Sequence, residues 1–142
     1  MSSVIIHSIL ARAFAEFVDK GPFPTALTYT VQDIENNLDD WIIYYQQNQP
    51  VACVHLKQEG INFGLSFLAV LPEYRRQKIG SRLISMAEQR AIKRQAHIGW
   101  VQLRSSLHEN INFFKKNGYQ FAGPADEEMK YVLYFKKMGD ME

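Results

Sequence analysis

The chain has 142 residues, of which 46% are hydrophobic and 22% charged, and its net charge is +1. This length predicts one domain, residues 1–142, with a single core, and the composition excludes disordered, fibrous and low-complexity proteins. Cys53 is the only cysteine, so an intramolecular disulfide is excluded and a cytoplasmic location is expected. The sequence has no run of about 18 to 20 apolar residues and its start does not resemble a secretory signal, so we expect no membrane partner.

The first half of the chain predicts two helices and then three strands. Apolar residues at helical spacing predict an amphipathic helix from Ile5 to Val18, which the GPFP segment at 21–24 ends. Thr30 and Asp33 form a capping signal for a short second helix. Three β-like runs separated by turn-prone residues then predict an antiparallel meander, with strands at 41–45, 51–58 and 61–70.

The second half predicts a strand–helix–strand unit and a closing hairpin. Apolar residues from Ile79 to Ile92 mark one face of a helix, and 100–104 follows as a strand. The strands on either side of this helix should run parallel, with a right-handed crossover. Residues 109–116 predict a short helix that ends at Gly118 in a left-handed cap. The predicted hairpin strands are 119–122 and 130–136.

The segment LPEYRRQKIG, between a strand and the long helix, concentrates positive charge. A loop that enters a helix presents unpaired N–H groups and the positive end of the helix dipole, so anions bind there. Gly80 would let a phosphate approach the backbone closely, while Arg75, Arg76 and Lys78 supply charge-assisted hydrogen bonds. Between residues 75 and 94 there are seven cations and one anion. This pattern predicts a phosphate site, and a solvated helix face beside a glycine-containing turn is the alternative.

Two segments match motifs of one known family. LAVLPEYRRQKIG (68–80) has Arg75 and Gly80 in the register of R/Q-x-x-G-x-G/A, with Lys78 at the middle glycine. LHENINFFKKNGY (107–119) is similar to E-N-x-x-F-Y-x-x-x-G-Y. The chain thus resembles the GNAT superfamily of N-acetyltransferases. This resemblance implies an α/β (α+β) fold with a mixed, mostly antiparallel sheet of about six strands, a splayed parallel pair and about four flanking helices.

The resemblance also implies acetyl-CoA as co-substrate. In the family, the strand backbone pairs with the pantetheine amides, and the loop amides receive the pyrophosphate. Arg75 and Arg76 are expected to contact phosphates through their side chains. The histidines are scattered without zinc spacing, so no metal is expected. The implied cofactor-binding residues are Leu68, Ala69, Val70, Arg75, Arg76, Gln77, Lys78, Ile79, Gly80, Ser81, Asn110 and Phe113.

The implied reaction is direct attack of an amine, on a small molecule or a protein, on the thioester in a ternary complex. An alkylamine with a pKa of about 10.4 is protonated at pH 7, so a base is needed. Glu73, His108, His55 and Ser66 are candidates, and the sequence selects none of them. The family commonly places a tyrosine that protonates the leaving thiolate at the position of Phe114. Phenylalanine cannot donate a proton, and the simplest interpretation of Phe114 is an aromatic residue of the core. We expect Phe114→Tyr to raise kcat if thiolate protonation limits the rate.

Two other functions fit parts of the sequence. A non-enzymatic acyl-CoA-binding module is favoured by Phe114 and by the missing base. A basic nucleic-acid-binding module would use the 75–94 face, but interleaved aromatics and a helix-turn-helix pattern are lacking, so no nucleic-acid partner is expected. Residues 18–40 and 123–130 are expected to form the wall that selects the acceptor. An exposed strand edge near the C-terminus could pair with a second copy to form a homodimer.

Overall fold

The computed structural model describes residues 2–19 and 23–138. Within these ranges the helices are α1 (Ser2–Phe14), α2 (Val31–Asn36), α3 (Ile79–Lys93) and α4 (His108–Lys116). The strands are β1 (Trp41–Gln46), β2 (Gln49–Glu59), β3 (Asn62–Val70), β4 (Ile98–Arg104), β5 (Gln120–Pro124) and β6 (Tyr131–Lys137). Every helix in these ranges is too short or too polar to span a bilayer.

The six strands form one sheet in the order β1-β2-β3-β4-β6-β5. Antiparallel pairing joins β1 to β2, β4 to β6, and β5 to β6. β3 and β4 are parallel and are connected through α3, so the strand–helix–strand unit is confirmed. The fold is therefore the mixed, mostly antiparallel sheet with one parallel pair and four helices that the sequence predicts.

The parallel pairing of β3 with β4 is short. Its register runs from Asn62 opposite Ile98 to Leu65 opposite Val101. β3 continues to Val70, so its last five residues lie beyond these pairs. Among those five are the strand residues that the family resemblance assigns to the cofactor.

Contacts along the chain divide it into two compact units, and the single domain expected from its length stays a prediction. The first unit comprises residues 1–56 and 67–87, and the second comprises residues 57–66 and 88–142. α1, α2, β1 and the loop that leads into α3 belong to the first unit, whereas β4, α4, β5 and β6 belong to the second.

In the first unit, α1 buries one apolar face, as its spacing predicts. This face packs with Ile34 of α2, Trp41 of β1 and Ala69 of β3, and its buried residues are Ile6, Ile9, Leu10 and Ala13. The α-helix ends at Phe14 and a 3₁₀ turn follows, which leaves Val18 40% exposed. The predicted end at Val18 was therefore wrong, because the last turn tightens and directs that side chain away from the core. Of the GPFP segment that was expected to end the helix, Gly21 and Pro22 lie outside the described residues.

The predicted cap of α2 is confirmed. The Asp33 amide donates to the Thr30 side-chain oxygen over 3.0 Å, and the Thr30 amide donates to the Asp33 carboxylate over 2.9 Å. These reciprocal bonds satisfy two backbone donors at the helix start. A six-residue helix is too short to be stable alone, so this cap and the buried Ile34 side chain hold it in place.

In the second unit, Glu88 is a buried carboxylate with two partners. Its side chain accepts a 2.9 Å hydrogen bond from the Tyr119 hydroxyl and lies 3.1 Å from Lys136 Nζ. Burial, with the nearby carboxylate, raises the pKa of the Tyr119 hydroxyl, so that group stays a donor at neutral pH. Gly118, just before Tyr119, has the positive φ (97°) predicted for a helix cap.

Gly99 of β4 leaves no room for a side chain. A Cβ at this position would lie 2.6 Å from the ring of Phe63, which is 1% exposed. We expect Gly99→Ala to lower the free energy of unfolding by about 1–3 kcal/mol through overpacking. Gly64→Ala is the matched control, because the nearest atom to that Cβ is 4.0 Å away. Equal denaturation midpoints for the two variants would contradict this packing.

Candidate active site

The end of β3 carries an irregularity at Phe67. This residue has φ of 55°, which is rare for a bulky non-glycine residue. Leu68, Ala69 and Val70 follow it, and the Leu71 amide then donates to Val51 O over 2.9 Å. Outliers of this kind cluster at functional sites, where the surrounding structure holds them. Phe67 is such an outlier, and the strand segment expected to bind pantetheine, residues 68–70, begins directly after it.

The loop between β3 and α3 has an unusual backbone conformation. Arg76 and Lys78 have φ of 65° and 64°, so two residues with left-handed backbone, separated only by Gln77, lie just before the helix. Such alternation turns successive N–H groups to one side and forms an anion-binding nest. The first hydrogen bond into α3 runs from Arg82 N to Lys78 O (3.1 Å). The first-turn amides at 79–81 therefore have no acceptor within the helix.

Lys78, at the position of the motif's middle glycine, has a left-handed backbone with φ of 64°. Its left-handed backbone costs about 1–2 kcal/mol relative to the right-handed helical region. The side chain is exposed, as are those of Arg76 and Gln77. Lysine at this position therefore has a backbone conformation that glycine adopts without strain, and it adds a positive charge to the loop.

In the structure the Arg75 side chain contacts the protein itself, and the phosphate contact expected of it stays a prediction. Its Nε donates to Val70 O (3.2 Å), its Nη2 donates to Ala13 O (3.1 Å), and its Nη1 pairs with the Glu16 carboxylate. All three nitrogens thus have acceptors within the protein. The side chain ties the loop to the last turn of α1, where carbonyls attract a cation.

The loop carboxylate Glu73 is a weak candidate for the base. Arg12 Nη2 donates to Glu73 Oε2 over 2.6 Å, and this hydrogen bond is the main cause that lowers the pKa of Glu73. A carboxylate whose pKa is lowered holds a proton less well, so it is a poorer base. With the pair of Arg75 and Glu16, this contact gives the loop a second ionic tie to α1.

Four further predicted site residues lie on α4, in the second unit. His108 and Asn110 are exposed in the first turns of the helix, and Phe113 is half-buried. Phe114 is 6% exposed, with its ring edge-on to Phe113 (5.2 Å) and Tyr119 (5.6 Å). Phe114 is therefore a core aromatic, and the effect of Phe114→Tyr on kcat stays a prediction.

The first unit contains a polar cavity of about 300 Å³. It lies within the 18–40 segment that we expected to select the acceptor. The residues that line it are Thr28, Tyr29, Asp33, Asn36 and Asn37. The ring of Tyr29 also contacts Phe67, with centroids 5.0 Å apart. Two of the lining residues already form hydrogen bonds within α2 and its cap, because the Asp33 carboxylate accepts from the Thr30 amide and Asn36 Oδ1 accepts from the Gln32 side chain.

Three rings on neighbouring strands of the first unit form a cluster in which each contacts the other two. Trp41 lies opposite His55 on β1 and β2, with ring centroids 4.9 Å apart, and Phe67 of β3 lies 6.1 Å from His55. His55 Nε2 is 3.9 Å from Asp40 Oδ2, and the imidazole is only 13% exposed. The sequence left the direction of His55 open, and the structure places it beside the β3 outlier.

Cys53 is fully buried, and burial raises the pKa of its thiol to about 12. A buried protonated thiol is not a nucleophile, as the sequence predicts. We expect a disulfide reagent to leave Cys53 unmodified in the native protein and to modify it at full rate in denaturant. Rapid native labelling, followed by absorbance, would contradict this. Among residues 2–19 and 23–138, no group of three or more His, Cys, Asp or Glu residues could hold a metal ion.

Solved structures resemble the chain over nearly its whole length. PaiA N-acetyltransferase from Thermoplasma acidophilum, in complex with coenzyme A, has a TM-score of 0.83 at 16% identity, covering 96% of this chain and 93% of that one. Ard1 from Thermoplasma volcanium has a TM-score of 0.77 at 17% identity, with 99% and 95% covered. Aminoglycoside 6'-acetyltransferase type Ii has a TM-score of 0.76 at 19% identity, with 99% and 92% covered. At these identities the likeness establishes the fold.

Sequence comparison identifies the family. No curated protein sequence matches the chain. The profile described as "Acetyltransferase (GNAT) domain" matches residues 37–121, which contain β1 to β4, the loop before α3, and α4. This match covers more than half of the 142 residues, and the chain therefore belongs to the GNAT acetyltransferase family.

Proposed function

We propose that this protein is an N-acetyltransferase that moves an acetyl group from acetyl-CoA to a primary amine by direct attack in a ternary complex. Backbone groups of Leu68, Ala69 and Val70 pair with the pantetheine amides. The amides of residues 77–81 hold the pyrophosphate, and the exposed cations Arg76 and Lys78 add charge. Family membership and the complex of a fold neighbour with coenzyme A support this proposal.

The observation that carries the proposal is the left-handed pair Arg76 and Lys78 directly before the free amides of α3. Two non-glycine residues in this conformation cost free energy, so the loop is held by other contacts. Arg75 supplies those contacts through Val70, Ala13 and the Glu16 carboxylate. A preformed group of N–H donors at a helix start matches a diphosphate in both charge and geometry.

The protein's contribution to the reaction is mainly alignment. Bound acetyl-CoA supplies an activated acyl group, and holding an amine next to it makes the reaction effectively unimolecular. The polar cavity that includes Tyr29 and Asp33 lies on the segment expected to select the acceptor, and Tyr29 connects it to Phe67. We propose that the acceptor is an amine with further hydrogen-bonding groups, which this cavity holds.

The test combines calorimetry with an assay of thiol release. We expect acetyl-CoA to bind, and thiol release to depend on one or more amines from a panel containing a polyamine, an aminoglycoside and an alanine-terminated peptide. Mass spectrometry of the products should show one added acetyl group. Binding of acetyl-CoA without turnover of any amine would support the acyl-CoA-binding module, which Phe114 favours because its ring has no hydroxyl to donate.

A nucleic-acid-binding role predicts a different result. Binding of a duplex with a steep dependence on salt, and no heat from acetyl-CoA, would support it. Arg75 is neutralised by Glu16, so the basic face offers less free charge than the sequence suggests.

A further inference from the structure

We propose that His55 accepts the proton that the amine acceptor loses during acetyl transfer, and that Asp40 is the positioning residue for its ring. This inference rests on the proposed function, and it names a group that the motifs of the family do not include. His55 lies on β2, outside both motif segments.

The position of His55 among neighbouring aromatic rings supports its assignment as the base. His55 is opposite Trp41 across β1 and β2, and its ring is 6.1 Å from that of Phe67. Phe67 immediately precedes Leu68, the first residue proposed to pair with pantetheine. The face of the strands that carries these rings is also the face that packs against α1 and α2, where Tyr29 contacts both Trp41 and Phe67. An amine held at the cavity of Tyr29 would approach from this same face.

The surroundings of His55 suit a group that takes up a proton. Asp40 Oδ2 is 3.9 Å from Nε2, too far for a direct hydrogen bond but close enough to stabilise an imidazolium ion. The aromatic neighbours restrict the orientation of the ring, and the nearby Asp40 carboxylate offsets the cost of placing a positive charge on a side chain that is only 13% exposed. By contrast, the carboxylate of Glu73 is engaged by Arg12 on the exposed loop.

The proton balance of the reaction requires such an acceptor. An ammonium ion must lose two protons to become an amide. One proton passes to the imidazole, directly or through a water molecule, and then to solvent; this frees the lone pair that forms the C–N bond. As the C–S bond breaks, sulfur leaves with the electron pair, and the second proton completes the thiol of coenzyme A.

The experiment uses the full chain, acetyl-CoA and the panel amine that the wild-type protein acetylates fastest. We expect His55→Gln to lower kcat/KM by about 100-fold, the scale of general-base catalysis, with unchanged affinity for acetyl-CoA by calorimetry. His97→Ala is the matched control, because His97 has an exposed side chain on the second unit. We expect it to retain wild-type kcat/KM.

Chemical rescue separates proton transfer from packing. His55→Ala leaves a space beside Trp41, and imidazole added to this variant should restore turnover, whereas pyrazole, a ring of equal size and much lower basicity, should not. Asp40→Asn should lower kcat by about 10-fold in the wild type and have no further effect in His55→Gln, since the two residues act together.

Each outcome has a distinct meaning. Equal rescue by both rings, or full activity of His55→Gln, would overturn the role of His55 and leave the proposed transferase intact. Turnover of no panel amine by the wild-type protein, despite binding of acetyl-CoA, would overturn the proposed function and the inference with it.

Discussion

Lys78→Pro is expected to weaken binding of acetyl-CoA by about 100-fold or more, which corresponds to about 2.7 kcal/mol. Proline fixes φ near −65°, whereas Lys78 has φ of 64°, so the left-handed conformation cannot form. The substitution also removes one N–H donor from the nest. A hydrogen bond to a charged group contributes about 1.5–3 kcal/mol, and misalignment of the neighbouring amides adds to its loss. Calorimetric titration with acetyl-CoA measures the effect.

Lys78→Gly is the matched control for that experiment. Glycine adopts the left-handed conformation without strain, so the loop keeps its shape and loses only one exposed charge. We expect the glycine variant to bind within about 10-fold of wild type and to be as stable or slightly more stable. Equal losses in the two variants would mean that the side-chain charge of Lys78, and not the backbone, holds the ligand. Thermal unfolding of both variants checks that each is folded.

Glu88→Ala is expected to lower the free energy of unfolding by about 2–4 kcal/mol. The carboxylate is 11% exposed and is the acceptor for both Tyr119 and Lys136, so its removal leaves a buried hydroxyl and a partly buried ammonium unpaired. Breaking a buried ion pair on one side costs more than the pair contributes, because the remaining charge stays desolvated. Chemical denaturation monitored by fluorescence measures the change.

Glu128→Ala provides the comparison for this estimate. Glu128 pairs with Lys130 over 2.8 Å, but the two side chains are 70% and 62% exposed. Exposed pairs contribute about 0–1 kcal/mol, so we expect almost no change in stability. Replacing Glu88 and Lys136 together by methionine should recover most of the loss, since no unpaired charge then remains. Similar losses for Glu88→Ala and Glu128→Ala would contradict the burial of this network.

The sequence predicted the local elements well, because their signals lie within a few residues of each other. The reciprocal cap of Thr30 and Asp33, the apolar face of α1 and the turn at Gly118 depend on spacings of three or four positions. The strand order was less accessible, since β6 also pairs with β4, through residues 27 to 39 positions apart in sequence. The end of α1 was misplaced because apolar spacing continues through Val18 after the α-helix has stopped.

In the candidate site, too, the features encoded by a short motif were predicted, and those that depend on residues distant in sequence were not. The anion-binding loop follows from a short motif, and the left-handed Lys78 explains how a lysine occupies a glycine position. The contacts of Arg75 could not be predicted because its acceptors Glu16 and Ala13 are 59 and 62 residues away in sequence. The direction of His55 was also inaccessible, since alternation along a strand identifies two faces without saying which one meets the ligand.

The most direct measurement is a crystal structure of the protein with coenzyme A. We expect pyrophosphate oxygens at about 2.7–3.2 Å from amide nitrogens between residues 77 and 81, which is hydrogen-bond distance. We also expect Arg75 to remain paired with Glu16. Pyrophosphate bound elsewhere, or loop amides donating to the protein's own carbonyls in the complex, would contradict the proposed phosphate site.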